Sequence, residues 1–213
     1  MKSYPSIPGH IPMHILHGTT FHIFDKLDGS NVRAEFSRKR GLHRFGKRNR
    51  LLSPDGDPTP HLAEAPGLMM EKYGDDLARI CHEQRWDKVT FYFEFFGPNS
   101  FAGGHVEEPH DVVLIDVAVY RKGFLPPHDF MRIFDDLHKA ELLHHGNFTR
   151  DLQEAVEDGT LEGMTFEGVV CKGQRKTKKG TSLPLLFKHK SNAWIQALRE
   201  KCGDDEKLFE KLK

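Results

Sequence analysis

The 213-residue chain carries 31 Lys plus Arg against 31 Asp plus Glu, a formal charge of zero, and is 38% hydrophobic and 10% aromatic. That composition excludes a disordered chain and provides enough apolar material for one large core or two small ones. No apolar run approaches the ~20 residues of a membrane span, the first residues lack a signal-peptide h-region, and the three distant cysteines (Cys81, Cys171, Cys202) fit neither a disulfide framework nor a zinc module.

In chain order, Phe21–Leu27 (FHIFDKL) reads as a short strand, with Lys26 closing it ahead of an Asp28-Gly29-Ser30 turn. Asn31–Arg38 and Leu42–Arg48 flank Lys39-Arg40-Gly41, which reads as a hairpin with Gly at its turn. Ser53–Pro60 (SPDGDPTP) is a surface loop by composition. Glu64–Arg85 places Leu68, Met69, Tyr73, Leu77, Ile80 and Cys81 at helical spacing. Lys88–Phe96 and Asp111–Tyr120 are strand-rich, and the second is apolar enough to be central in a sheet. Phe130, Ile133, Phe134 and Leu137 form the stripe of another helix, and Thr149 is placed to cap a helix over Arg150–Glu157. Phe166–Lys172 and Leu183–Lys190 read as strands joined by a Lys-rich loop, after which Ser191 or Asn192 caps a helix burying Trp194, Ile195 and Leu198. The expected class is α+β with a mainly antiparallel sheet.

The neutral total hides a segregation of charge. Residues 33–50 hold eight cations and one acid, Glu35, and residues 172–190 hold seven cations and no acid. The rest of the chain has 16 cations against 30 acids. Two basic blocks inside folded segments point to a phosphate-binding surface, although either alone also fits a solvated face.

Three segments carry chemistry. Lys26 lies among apolar residues, where desolvation favours the neutral, nucleophilic amine; an ordinary hairpin with an exposed lysine has the same local pattern. Glu94 in FYFEFFG and Glu167 in FEGVVCKG stand among aromatic or β-branched residues, so each needs a cation, metal, backbone donor or ligand hydroxyl unless it faces solvent. Lys188 and Lys190 alternate on one strand face, a repulsive arrangement that a phosphate between them would relieve.

The order K-x-D-G, R-N after a hairpin, F-E-x-x-G, E-G-x-V-x-K and K-x-K resembles the covalent nucleotidyltransferase superfamily of ATP-dependent ligases and mRNA capping enzymes. Lys26-Leu27-Asp28-Gly29-Ser30-Asn31 and Arg44-Phe45-Gly46-Lys47-Arg48-Asn49 are most similar to the RNA ligase branch. The resemblance spans roughly Phe21 to Trp194. It implies an adenylation domain with mainly antiparallel sheets around an ATP cleft and helices outside; with 23 residues after Lys190, no OB-fold domain is expected. Residues 1–213 would be one stand-alone catalytic domain, with 191–213 a C-terminal helical tail. It implies ATP and Mg²⁺ (or Mn²⁺) as cofactors, a lysyl-AMP intermediate, and nucleic acid, RNA ends or nicks, as the partner; a monomer is expected, and the cysteine use and lack of apolar runs point to a cytoplasmic protein with no membrane contact.

By the same resemblance Lys26 is the nucleophile, Glu167 the metal-motif carboxylate, and Lys188 and Lys190 the lysines that neutralise the α-phosphate. Asp25, Asn31, Arg48, Glu94 and Lys172 join Lys26, Lys188 and Lys190 in binding ATP or AMP, with Glu94 on the ribose. Asp28 is a metal-water or turn residue. The chain departs from the family in having Asp25 where Glu usually precedes the nucleophile, and in offering only aliphatics such as Val112, Leu114 and Ile115 where an aromatic usually stacks on adenine; Phe96 or Phe101 are the substitutes at hand. The 14 histidines, including His10, His14, His17, His144 and His145, lack zinc-site spacing and read as surface or structural residues. A minimal DNA nick ligase and a non-sealing end-binding module are the alternatives.

Overall fold

The computed structural model describes residues 1–16, 18–52, 62–98, 100–176 and 182–213. The expected 53–60 loop, His17 and most of the Lys-rich connection before the last strand lie outside the described residues. In chain order the elements are α1 (Met13–Leu16), β1 (Thr20–Asp25), β2 (Ser30–Ser37), β3 (Gly41–Lys47), α2 (Ala65–Glu83), β4 (Lys88–Phe96), β5 (Asp111–Val119), β6 (Gly123–Phe124), α3 (Pro127–Ile133), β7 (Leu142–Asn147), α4 (Arg150–Glu157), β8 (Gly168–Lys176), β9 (Ser182–Lys190), α5 (Asn192–Cys202) and α6 (Glu206–Leu212). The class is α+β with antiparallel sheets, as expected. No helix among the described residues is long and apolar enough to cross a membrane.

One unit comprises Met1–Pro5, Gly29–Asn99 and Glu107–Lys139. Its sheet runs β3-β2-β4-β5-β6 with antiparallel pairing throughout. The hairpin between β2 and β3 turns where expected, at Gly41, whose φ of +63° is the left-handed conformation a Cβ disfavours. Helix α2 buries Met69, Tyr73, Leu77, Ile80 and Cys81, the stripe read from sequence, and each large apolar side chain so buried contributes about 1.5–3 kcal/mol. Burial pushes the Cys81 thiol up to about 12, so it is a packing group and not a reactive one.

The first basic block holds one buried cation, Arg33, and one buried acid, Glu35. Glu35 is buried and gathers the Met1 ammonium at 3.2 Å, Lys88 at 3.2 Å and Arg44 at 3.5 Å. Arg33 is itself buried, donating to Ser3 Oγ at 3.0 Å. Of the three cations on Glu35, Arg44 belongs to the block, while the Met1 ammonium and Lys88 come from outside it.

The other unit comprises Ser6–Asp28, Ser100–Val106 and Ala140–Lys213. Its sheet runs β7-β1-β8-β9, again antiparallel. Period-2 alternation gives the sheet two faces. Phe21, Ile23, Val169, Cys171 and Phe187 enter a core with Ile11 and Val156. On the other face the ladders align Phe24, Val170 and Lys188 in one row and His22, Lys172 and Leu186 in the next. A second cluster joins Trp194, Leu198 and Cys202 of α5 to Phe209 of α6 and Ala102.

The helix caps are those read from sequence. Thr149 Oγ1 accepts the Leu152 N–H at 3.3 Å and Ser191 Oγ accepts the Trp194 N–H at 3.1 Å. Thr149→Ala should lower stability by about 1 kcal/mol, the usual worth of an N-cap, read as a shift in the denaturation midpoint at unchanged slope. Helix α3 stops at Ile133, partway along the apolar stripe, with Phe134 at its C-cap and Leu137 beyond it. Strand β7 (LLHHGN) has no strand-like sequence pattern; it forms because it pairs with β1, His22 opposite His145.

Candidate active site

Lys26 follows β1 directly. Its backbone N–H donates to Gly168 O at 2.9 Å, which fixes the residue beside the first pair of β8. Its ammonium donates to Glu167 Oε2 at 2.7 Å. The other oxygen of the same carboxylate, Oε1, lies 2.9 Å from Lys190 Nζ. Glu167 is only 4% exposed, so one buried carboxylate holds two ammonium groups. Burial pushes Lys190 down to about 8, and the nearby Lys26 and Lys188 push the same way, while Glu167 opposes them.

Lys188 and Lys190 do share a side of β9, and both already hold oxygen acceptors. Lys188 Nζ donates to Lys213 O at 2.8 Å, and Lys190 Nζ lies 3.4 Å from Leu212 O. Lys172 is buried on the same sheet face, its Nζ 5.0 Å from the centre of the Phe24 ring.

Both acids flanking Lys26 make hydrogen bonds to distant parts of the chain. Asp25 Oδ1 accepts the Thr165 N–H at 3.0 Å and Oδ2 the Thr165 hydroxyl at 2.9 Å. Burial raises the Asp25 carboxyl, an effect the Thr165 bonds offset in part. Asp25 thereby ties the segment before Glu167 to the end of β1. Asp28 is 1% exposed; its Oδ2 accepts the N–H groups of Ala102 at 2.7 Å and Gly104 at 3.1 Å, and its Oδ1 accepts the Trp194 indole N–H at 3.1 Å. Asp28 thus ties the segment after Lys26 to residues 102–104 and to the start of α5.

Asn31, Glu94 and Arg48 belong to the other unit. Asn31 and Glu94, singled out separately in the sequence, are directly opposite one another on β2 and β4. Asn31 Nδ2 donates to Phe93 O at 3.4 Å, while its Oδ1 is buried with no hydrogen-bond partner among the described residues. A buried acceptor left open this way is costly and suits a ligand hydroxyl or a bound water. Arg48, just beyond β3, donates from Nη2 to Pro5 O at 3.1 Å.

Among the described residues no group of three or more His, Cys, Asp or Glu could hold a metal ion. Glu167 alone still fits a magnesium-type cation, which commonly takes one carboxylate and completes its shell with water and substrate phosphate oxygens.

The sequence reading missed Trp194 and Thr165 as site residues. For Trp194 the available signal was its place three residues after the Ser191 cap and four after Lys190, which turns the first helical turn back onto the strand end.

The sequence profile of the RNA ligase family matches residues 19–190. No curated protein sequence matches. Among solved structures, the Naegleria gruberi RNA ligase with PPi superposes with a TM-score of 0.66 at 16% identity, over 94% of this chain and 58% of that one. A variant of the same ligase with AMP and Mn gives 0.65 at 15% identity over 92% and 57%. Another variant, with ATP and Mn, gives 0.65 at 17% identity over 92% and 58%. The chain thus spans under two thirds of the length of the structures it matches.

Proposed function

Because this chain belongs to the RNA ligase family, we propose that it is an ATP-dependent RNA ligase that seals 5′-phosphate and 3′-hydroxyl ends through a lysyl-AMP intermediate. The observation that carries the reading is the buried Glu167 carboxylate between the Lys26 and Lys190 ammonium groups. Lys26 attacks the α-phosphorus of ATP once its ammonium proton has left, and Glu167, 2.7 Å away, is the nearest acceptor for that proton. The N–P bond forms as the bond to pyrophosphate breaks, giving lysyl-AMP.

Lys190 and Lys188 donate to the phosphate oxygens as negative charge grows on them. A phosphate anion competes for these donors with the carbonyls of Leu212 and Lys213, and a charge-assisted bond is the stronger. The 5′-phosphate of the nucleic acid then takes AMP from Lys26, and a 3′-hydroxyl displaces AMP to close the strand. A divalent cation held by Glu167 would neutralise phosphate charge during these transfers. Glu94 and Asn31, facing each other across β2 and β4, are the proposed ribose and phosphate-side contacts, with Arg48 and Lys172 as further phosphate contacts. RNA ends or nicks are the proposed partner, with the protein acting as a monomer.

The test is covalent labelling. Incubation with ATP labelled at the α-phosphate and Mg²⁺ should leave label on the denatured protein, and Lys26→Ala should leave none. Absence of label on the wild type across pH and metal would sink the ligase reading in favour of an end-binding module, and label from GTP instead would indicate capping-type chemistry. Nicked duplexes with RNA or DNA on each side then separate an RNA ligase from a DNA nick ligase.

A further inference from the structure

Trp194 is 2% exposed, and its indole meets two groups beside the chemistry. Its Nε1–H donates to Asp28 Oδ1 at 3.1 Å, two residues after the nucleophile. The Lys190 ammonium stands 3.3 Å from the ring centre. The indole therefore presents its positive edge to a carboxylate and its negative face to a cation. The two contacts reinforce each other, because donation to the carboxylate enriches the ring on which the ammonium rests.

The helix start that carries Trp194 is itself tied to the site. Ser191 N–H donates to Glu167 O at 3.1 Å, and Ser191 Oγ donates to Phe166 O at 2.6 Å while accepting the Trp194 N–H. The ring is thus held relative to the Glu167 backbone before it touches Asp28 or Lys190.

We propose that Trp194 is a positioning residue for adenylyl transfer, its N–H fixing the loop after Lys26 through Asp28 and its face seating Lys190 toward the phosphate. The proposal rests on the adenylyl-transfer reading above. It assigns Trp194 an effect mainly on the rate of the transfer, because Trp194 touches no nucleotide itself and the Lys190 it seats donates most strongly as negative charge grows on the phosphate.

The experiment uses the full chain with Trp86→Phe, which leaves Trp194 as the sole tryptophan; Trp86 lies in the core of the other unit, against Phe134. Single-turnover formation of lysyl-AMP is measured against ATP concentration. Trp194→Leu should lose about tenfold at saturating ATP, the rate equivalent of one lost cation–π or charge-assisted contact, with little change in half-saturation. Trp194→Phe keeps a ring for Lys190 and loses only the N–H, so it should lose less, about threefold, and it carries the test if the leucine variant does not fold.

An unchanged saturating rate in either variant, or a loss confined to half-saturation, overturns the proposal. Independently of any reaction, Lys190→Met should change the Trp194 emission of the unliganded protein, and an unchanged spectrum overturns the seating of Lys190. If the wild type forms no lysyl-AMP, the ligase reading fails, while the emission comparison still decides whether Trp194 seats Lys190.

Discussion

Glu167→Gln should slow lysyl-AMP formation by at least about 100-fold and shift its pH dependence toward acid. Two effects oppose each other. Removing the carboxylate eases the loss of the Lys26 proton, which helps the nucleophile. It also removes the nearest proton acceptor and the anion that keeps Lys190 charged. General-base catalysis is commonly worth about 10²–10⁴-fold and a lost oxyanion donor about 10²–10³-fold, so the losses dominate.

The direction in pH follows from Lys190. Burial places it at about 8 with Glu167 present, and Glu167 is the group holding it up. In the wild type, activity that needs a charged Lys190 should fall as pH rises through about 8. In the glutamine variant that limb should move to lower pH. Stability has its own sign: from about 8 to 10.5 the unfolded chain keeps this proton while the folded chain releases it, so this lysine makes stability rise with pH across that window. A wild-type rate in Glu167→Gln, measured by single-turnover labelling from pH 6 to 9, would remove the central carboxylate from the mechanism.

Gly168→Ala should be the most damaging single methyl in the chain. Gly168 has φ +131°, a conformation closed to L side chains, and a Cβ there would stand 2.2 Å from His189 O and 2.7 Å from Lys190 Cα. Both neighbours are backbone atoms of the paired strand, so relief requires parting β8 from β9. Gly168 O also receives the Lys26 N–H, so the displacement reaches the nucleophile. The expected cost is about 3–5 kcal/mol, a fall in Tm of about 10 °C for a chain of this size, together with lost labelling of Lys26 in the protein that remains folded. Gly67→Ala is the contrast: it lies in α2 with nothing within 4 Å of the added methyl, and should stabilise by up to about 1 kcal/mol. Equal melting temperatures for the two variants would contradict the close contact at Gly168.

What the sequence made legible was whatever leaves a local signature. The apolar period of α2, the caps at Thr149 and Ser191, the Gly41 turn and the alternation of β8 and β9 all follow from chemistry within a few residues. Strand β7 could not be read this way, since His144, His145 and Gly146 become strand only by pairing with β1. The motif order singled out Lys26, Glu167 and Lys190, and the fold gathers them around one carboxylate. The hydrogen bonds of Asp25 and Asp28 were not legible, because their partners Thr165, Ala102, Gly104 and Trp194 are 74 to 166 positions away in the chain. The pairing of the first hairpin's one acid was not legible for the same reason: the ions that meet Glu35 include Lys88 and the Met1 ammonium, neither of which belongs to that stretch.

The two-faced ladder of β1, β8 and β9 makes the chemistry and the core share a reading frame of their own. Lys172 and Lys188 face one way only because Cys171 and Phe187 face the other. Losing one residue from β8 or β9 exchanges the two sets, exposing the core side chains and burying the cations in a single step. Losing two restores the parity while shortening the strand. Changes of length in these strands are therefore judged by whether they are odd or even, a constraint that applies to no single side chain and that substitution experiments alone leave invisible.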